Sequence, residues 1–282
     1  MKSFFNILFF SLIFFLLPLN GSGQSYTTIQ SGDIYAASLQ GDFNHLIDVS
    51  TDLFMAPGHF ETHDWHNLMI TISLTSLLFS VDPSVDKFAR ANQSETNDQI
   101  FGVDKYFGGK ETFFLTMGVY GAGLVTGEKR LRRTGLMAFE AFVLSQAVTK
   151  LLKLTFGRIR PYASRDPMNF RPFNGGDLFS SLPSGHTTGA FSFAIVMSHA
   201  YESVLWKTFW YSSAALVGAS RIYNQRHWLS DTFLSFVISY SIAEFVMHYH
   251  AQRSEVKNPT ALMSVFPLIH HDVLGITLSV HI

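Results

Sequence analysis

Apolar residues in this chain cluster into runs separated by short polar or charged breaks, and the spacing of those runs is helical rather than alternating. An apolar run from Phe4 to Leu17 follows Lys2 and ends at Pro18 with the small residues Gly21, Ser22 and Gly23. A charged start, a short apolar core and a small-residue exit predict a secretory signal over residues 1–23. A short helix is expected around Asp42 to Phe54, before the Pro57-Gly58 break. Asn67 to Val81 is apolar over 15 residues, short of the ~20 that span a bilayer. Asp82-Pro83 is expected to end it, and Ser84 to Phe107 reads as a charged amphipathic helix lying on a surface. Further helices are predicted over Thr112–Gly127, Leu136–Leu154, Thr187–Tyr201, Lys207–Tyr223 and Trp228–Tyr249. Glycines at 118, 121 and 123 favour close helix packing. The tail alternates loosely from Val265 to Ile282, which predicts a short hairpin.

These runs divide the chain into a signal peptide (1–23), an N-terminal helical region (24–108), a helical bundle (109–250) and a C-terminal tail (251–282). The fold class is all-α.

Composition sharpens the picture. Hydrophobic residues make up 47% and charged residues 15% of the 282, against ~25% charged in typical soluble domains. That balance suits a buried or membrane-associated bundle. A net charge of −1 leaves no basic surplus for nucleic acid. The absence of cysteine excludes disulfides and thiolate catalysis. His59, His63 and His66 cluster, but their loose spacing with no ordered further ligand argues against a metal site.

Three clusters carry candidate chemistry. Lys153 is followed by Arg160-Pro161 at the end of one predicted helix, and two permanent cations there can converge on one anion. Pro183-Ser184-Gly185-His186 directly precedes another helix, where backbone N–H groups favour an anion and Ser184 either caps or donates. In Ser220-Arg221…His227…Asp231, a helix starting at Trp228 sets His227 and Asp231 one turn apart, so the carboxylate can fix the imidazole tautomer. Each cluster alone is ordinary: a solvated helix end, a capped turn, a structural His–Asp pair. Together they supply three cations, a helix N-terminus and two histidines, the set needed to hydrolyse a phosphate ester through a phosphohistidine with no metal and no cofactor.

Lys153-x6-Arg160-Pro161, Pro183-Ser184-Gly185-His186 and Ser220-Arg221-x5-His227-x3-Asp231 resemble, in order and without substitution, the three-part signature of the type 2 phosphatidic acid phosphatase (PAP2) family. Its superfamily includes class A acid phosphatases and vanadium haloperoxidases. The resemblance covers about residues 110–250. It implies a helical bundle with its site at one end. Lys153, Arg160, Ser184, Gly185 and Arg221 would bind phosphate, His186 would be general acid, His227 the nucleophile and Asp231 its orienting partner. The expected substrate is a phosphorylated lipid or small phosphoester. A soluble periplasmic acid phosphatase is the alternative, and a vanadate-dependent haloperoxidase a remoter one, because little chain remains for a second bundle.

Membrane association is expected, with export to the cell envelope. The basic cluster Lys129-Arg130-Leu131-Arg132-Arg133 belongs on the cytoplasmic side. Counting helices from it brings all three clusters to one external, periplasm-facing end, on the condition that 67–81 does not cross.

Overall fold

A computed structural model describes residues 39–257, 262–270 and 273–281, with side chains described for 39–252. The expected signal peptide lies outside the described residues. Helices α1 (Leu39–Met55), α2 (Thr62–Ala91), α3 (Glu95–Ile100), α4 (Lys110–Thr126), α5 (Lys129–Phe156), α6 (Gly185–His199), α7 (Val204–Tyr223) and α8 (Leu229–Lys257) follow in order. Strands β1 (Leu262–His270) and β2 (Val273–His281) pair antiparallel beyond them.

The bundle is built on α6, which packs against α5, α7 and α8. Its buried residues include Ala190, Phe193, Ala194, Ile195 and Val196, apolar around much of its circumference, as a central helix must be. Leu144, Val148 and Leu152 of α5 and Leu234, Ile238 and Ile242 of α8 close the core around it. Helix ends follow local chemistry. Ser184 and Ser203 accept from N3 N–H groups to cap α6 and α7. α5 ends at Gly157, whose φ of +55° is left-handed; a Cβ there would lie 1.8 Å from the Arg171 carbonyl oxygen. Of the glycines expected to bring helices together, Gly123 does so: a Cβ there would meet Arg132 N at 2.2 Å, whereas Gly118 and Gly121 face open space.

The expectations for residues 67–107 need correction. Asp82-Pro83 does not end a helix; α2 runs unbroken for 30 residues with Pro83 inside it. Pro83 forgoes one helical hydrogen bond. Asp82 is buried and bonded to groups far along the chain, so the pair that reads locally as a stop is a packed contact. Ser84–Phe107 is consequently not one surface helix. Its first part completes α2, and the rest forms α3 and a 3-10 turn at Val103–Lys105.

Among the described residues, three helices are long and apolar enough to cross a membrane: α2, α5 and the Leu229–Gln252 part of α8. Met69, Ile70, Leu74, Leu77 and Phe88 of α2 and Phe114 and Leu115 of α4 are exposed, an apolar exterior that fits a membrane protein. α2, which contains 67–81, has the length and apolar character of a span, so the helix is longer than the 15-residue run on which the topology expectation was conditioned. The alternation of helix directions survives. The N-termini of α6 and α8 and the C-termini of α2, α5 and α7 meet at one end. The basic start of α5 lies at the other, where Arg132 pairs with Asp42 of α1 at 2.6 Å.

Candidate active site

The end that gathers the three sequence clusters is organised by a side chain the motifs skip. Arg158 is fully buried. It donates to Asp231 Oδ1 at 2.6 Å, Asp82 Oδ2 at 2.7 Å, Ser230 Oγ at 2.7 Å and the Pro167 carbonyl at 2.8 Å. Its guanidinium carbon sits over the Phe79 ring at 4.4 Å and 5.4 Å from that of Trp228. Asp82 also accepts from the Ser230 N–H at 3.0 Å, within the first turn of α8. One guanidinium thus ties α2, the segment after α5 and the start of α8 together.

Asp231 is at the third position of α8 and reaches back to the Trp228 N–H at 2.8 Å, half of a capping box. Its Oδ2 also accepts from Ser181 Oγ. His227 precedes the helix, and its Nδ1 donates to the Ser181 carbonyl at 2.7 Å, with Asp231 Oδ2 at 3.7 Å. Ser181 therefore stands between the pair predicted to bond directly: the carboxylate holds its hydroxyl and its carbonyl holds the imidazole. The consequence for tautomer is the expected one, a proton on Nδ1 and a lone pair on Nε2. Burial holds the His227 imidazole well below its usual pKa, and the neighbouring Lys153 and Arg221 charges push the same way, against Asp231. The ring is neutral at pH 7.

The cations converge as the spacing implied. Lys153 Nζ donates to the Ser180 carbonyl. Arg160 holds Asp177 Oδ1 at 2.8 Å and Ser180 Oγ at 2.9 Å. Arg221 pairs with Asp104 through Nη1. Its Nε is a buried N–H with no hydrogen-bond acceptor among the described residues. At the start of α6, Ser184 Oγ accepts from Thr187 Oγ1 at 2.9 Å, and the Ser184 N–H donates to Ser235 Oγ at 2.6 Å. Ser184 thus caps, and the N–H groups of Gly185 and His186 are those left for a ligand. A Cβ on Gly185 would lie 3.8 Å from Lys153 Cε, which puts helix start and cation side by side. His186 is half-buried beside them. Burial first, then the Arg221 charge, pushes its pKa down to about 4.

Residues 162–182 fold back on the strand-like segment 157–160. Arg171 N donates to the Gly157 carbonyl at 2.7 Å, Arg160 N to Leu178 at 3.0 Å and Ser181 N to Arg158 at 3.0 Å. This fold-back delivers Asp177, Ser180 and Ser181. Sequence reasoning missed Arg158, Asp82, Asp104, Asp177 and Ser181. The available signal was an aspartate inside an apolar run, which needs a buried partner.

Fold and site define a helical bundle that gathers three cationic side chains, a helix N-terminus and two histidines at one end. Residues 134–255 match the sequence model of the PAP2 superfamily. Among characterised proteins it is similar to the lipid A 1-phosphatase of Porphyromonas gingivalis, 34% identical over 97 residues, which are 33% of this chain and 18% of that one. It is also similar to the lipid A 1-phosphatase of Rhizobium etli, 33% identical over 103 residues, 34% of this chain and 42% of that one. The matches thus span about a fifth and two fifths of those relatives' lengths. The fold resembles the crystal structure of the transmembrane PAP2-type phosphatidylglycerolphosphate phosphatase from Bacillus subtilis, with a TM-score of 0.51 and 19% identity, over 65% of this chain and 96% of that one.

Removing one partner of a buried ion cluster leaves its charge uncompensated, a loss of about 3–5 kcal/mol. Asp82→Ala is therefore expected to lower thermal stability in detergent markedly, and an exposed control, Asp166→Ala, to leave it unchanged. Equal melting temperatures for both variants would show that Asp82 does not bear on the bundle.

Proposed function

We propose that this chain is a membrane-embedded phosphatase that hydrolyses a phosphate monoester or pyrophosphate borne by a lipid, without metal, through a phosphohistidine at His227. The observation that carries it is the orphan Arg221 Nε at an end that also holds Lys153, Arg160, the α6 N-terminus and a neutral, oriented His227. Lys153, Arg160, Arg221 and the Gly185 and His186 N–H groups take the phosphate oxygens, displacing Asp177 and Asp104 from their arginines. His227 Nε2 attacks phosphorus in line, the P–O bond to the lipid breaks, and His186 gives its proton to the departing oxygen. Water then attacks the phosphohistidine and returns a proton to His186, and inorganic phosphate leaves with His227 restored. Asp231 acts through Ser181 and the α8 cap as a positioning residue.

The apolar exterior and the names of the two curated relatives support a lipid substrate, and lipid A 1-phosphate is the first to test. The basic start of α5, at the end opposite the site, supports a cytoplasmic far end and an external, periplasm-facing site. Purified protein is expected to release phosphate from a lipid phosphomonoester in mixed micelles at least tenfold faster than from a soluble aryl phosphate. His227→Ala is expected to abolish both rates, by about 10³-fold or more. Equal, slow release by wild type and variant would remove the reading.

A pH profile follows from the histidines. Free His186 titrates at about 4, and the second ionisation of a phosphate monoester is near ~6. The reactive complex holds one proton shared between His186 and the phosphate. Between about pH 4 and 6 that proton arrives on the substrate, so kcat/KM is level. Above about pH 6 both are deprotonated, and kcat/KM falls up to tenfold per unit. His227 adds no acid limb near pH 6.5, because burial keeps it neutral there. A kcat/KM that rises from pH 6 to 8 would contradict these assignments.

A further inference from the structure

At the end of the bundle opposite the phosphate cradle, three ionisable side chains from three helices are sealed from water. His45 of α1 is 1% exposed, and Glu140 of α5 and His250 of α8 are 0% exposed. His45 Nδ1 is 2.7 Å from Glu140 Oε1, and His250 Nε2 is 2.7 Å from Glu140 Oε2. The two imidazoles also lie beside each other, tilted by 50°, with ring centroids 4.1 Å apart. None of the three touches the catalytic end, and phosphate chemistry gives them no task.

We propose that His45, Glu140 and His250 bind a divalent first-row transition ion, with Zn2+ the best-suited, as a structural clip. One ligand atom from each residue lies within 4.8 Å of the other two. Points so spaced share a centre at most about 2.8 Å from each, and bonds of ~2.0–2.2 Å need only a small inward shift. Two imidazoles and one carboxylate are a borderline donor set that suits Zn2+ and its neighbours rather than Ca2+ or Mg2+, which take oxygen. A hydrogen-bonded clasp needs only contact of each ring with the carboxylate. What recommends a metal is that one ligand atom from each of the three buried side chains lies within 4.8 Å of the other two. Binding is balanced without redox change: each neutral imidazole moves its proton to the nitrogen away from the metal, and Glu140 stays a carboxylate. Arg133, which donates to the His250 carbonyl at 3.0 Å, is the opposing charge at this site. The ion would fasten α1, whose Asp42 is already held by Arg132 one turn earlier, to the two long helices that run to the catalytic end. Ligation of groups gathered only by folding adds to stability.

The proposal is independent of the phosphatase reading and is tested without assaying catalysis. Tag-free protein in detergent is stripped with a chelator, loaded with Zn2+, freed of excess and measured for metal content. Wild type is expected to retain about one zinc per chain. His45→Gln/His250→Gln is expected to retain at least tenfold less, since its amides can still hydrogen-bond Glu140 but ligate zinc poorly. The open pocket lined by His59, His63, Glu61, Asp64, Glu244 and His248 is the competing location. His63→Ala/His248→Ala is therefore expected to keep its zinc. Co2+ loaded into wild type, held by the two imidazole nitrogens and both Glu140 oxygens, should give the intense visible bands of a four-coordinate site, a readout that needs no variant to fold. Zinc content equal in wild type and the His45/His250 variant, loss of zinc through His63/His248 instead, or pale six-coordinate Co2+ would each overturn the proposal.

Discussion

Arg158 is a permanent cation with no access to water, placed between Asp82 and Asp231 and roofed by aromatic rings. Such a charge persists only when its donors are satisfied, and the structure satisfies them with groups from α2, from the fold-back segment and from the first turn of α8. The placement of His227 is referenced to this contact. Asp231 is fixed by Arg158 and in turn fixes Ser181 and the start of α8. Ser181 sets the His227 ring. The backbone of Arg158 itself holds Ser181 through its carbonyl.

The same end manages three further cations. Each has a provisional partner: Ser180 for Lys153, Asp177 for Arg160, Asp104 for Arg221. These partners make the charges tolerable, and in the proposed reaction a phosphate with more oxygens to offer replaces them. The helix arrangement makes this possible at one place. Helices of alternating direction bring the positive N-termini of α6 and α8 to the end where the long side chains closing α5 and α7 emerge. The opposite end carries the basic start of α5 and the buried His45–Glu140–His250 cluster, so the two ends differ in chemistry as well as in charge.

How far this was legible in the sequence depends on how local each feature is. That Lys153, Arg160, His186, Arg221 and His227 gather at one end was readable because they lie at or beside helix ends, and the helices that present them follow apolar periodicity. Asp82-Pro83 was misread because the rule for Pro is local, while the partners that hold Asp82 inside α2 lie 76 and 148 residues away. The His227–Asp231 bond was inferred from one-turn spacing, but α8 begins at Leu229 and leaves His227 on the preceding turn, where Ser181 can insert. Arg158 was passed over as a spacer between Lys153 and Arg160; nothing in its neighbourhood states that it is buried. The gathering of His45, Glu140 and His250 is likewise invisible in sequence, since it depends on α1 docking across α5 and α8.

The account stands on His227 Nε2 being the atom that takes the phosphoryl group. Rapid acid-free quenching of the protein turning over a 32P-labelled lipid phosphate, followed by peptide mapping, tests it directly. Label that is stable in base, labile in acid and confined to the peptide containing His227 is the predicted result. Phosphate release at full rate with no base-stable label on that peptide would contradict it.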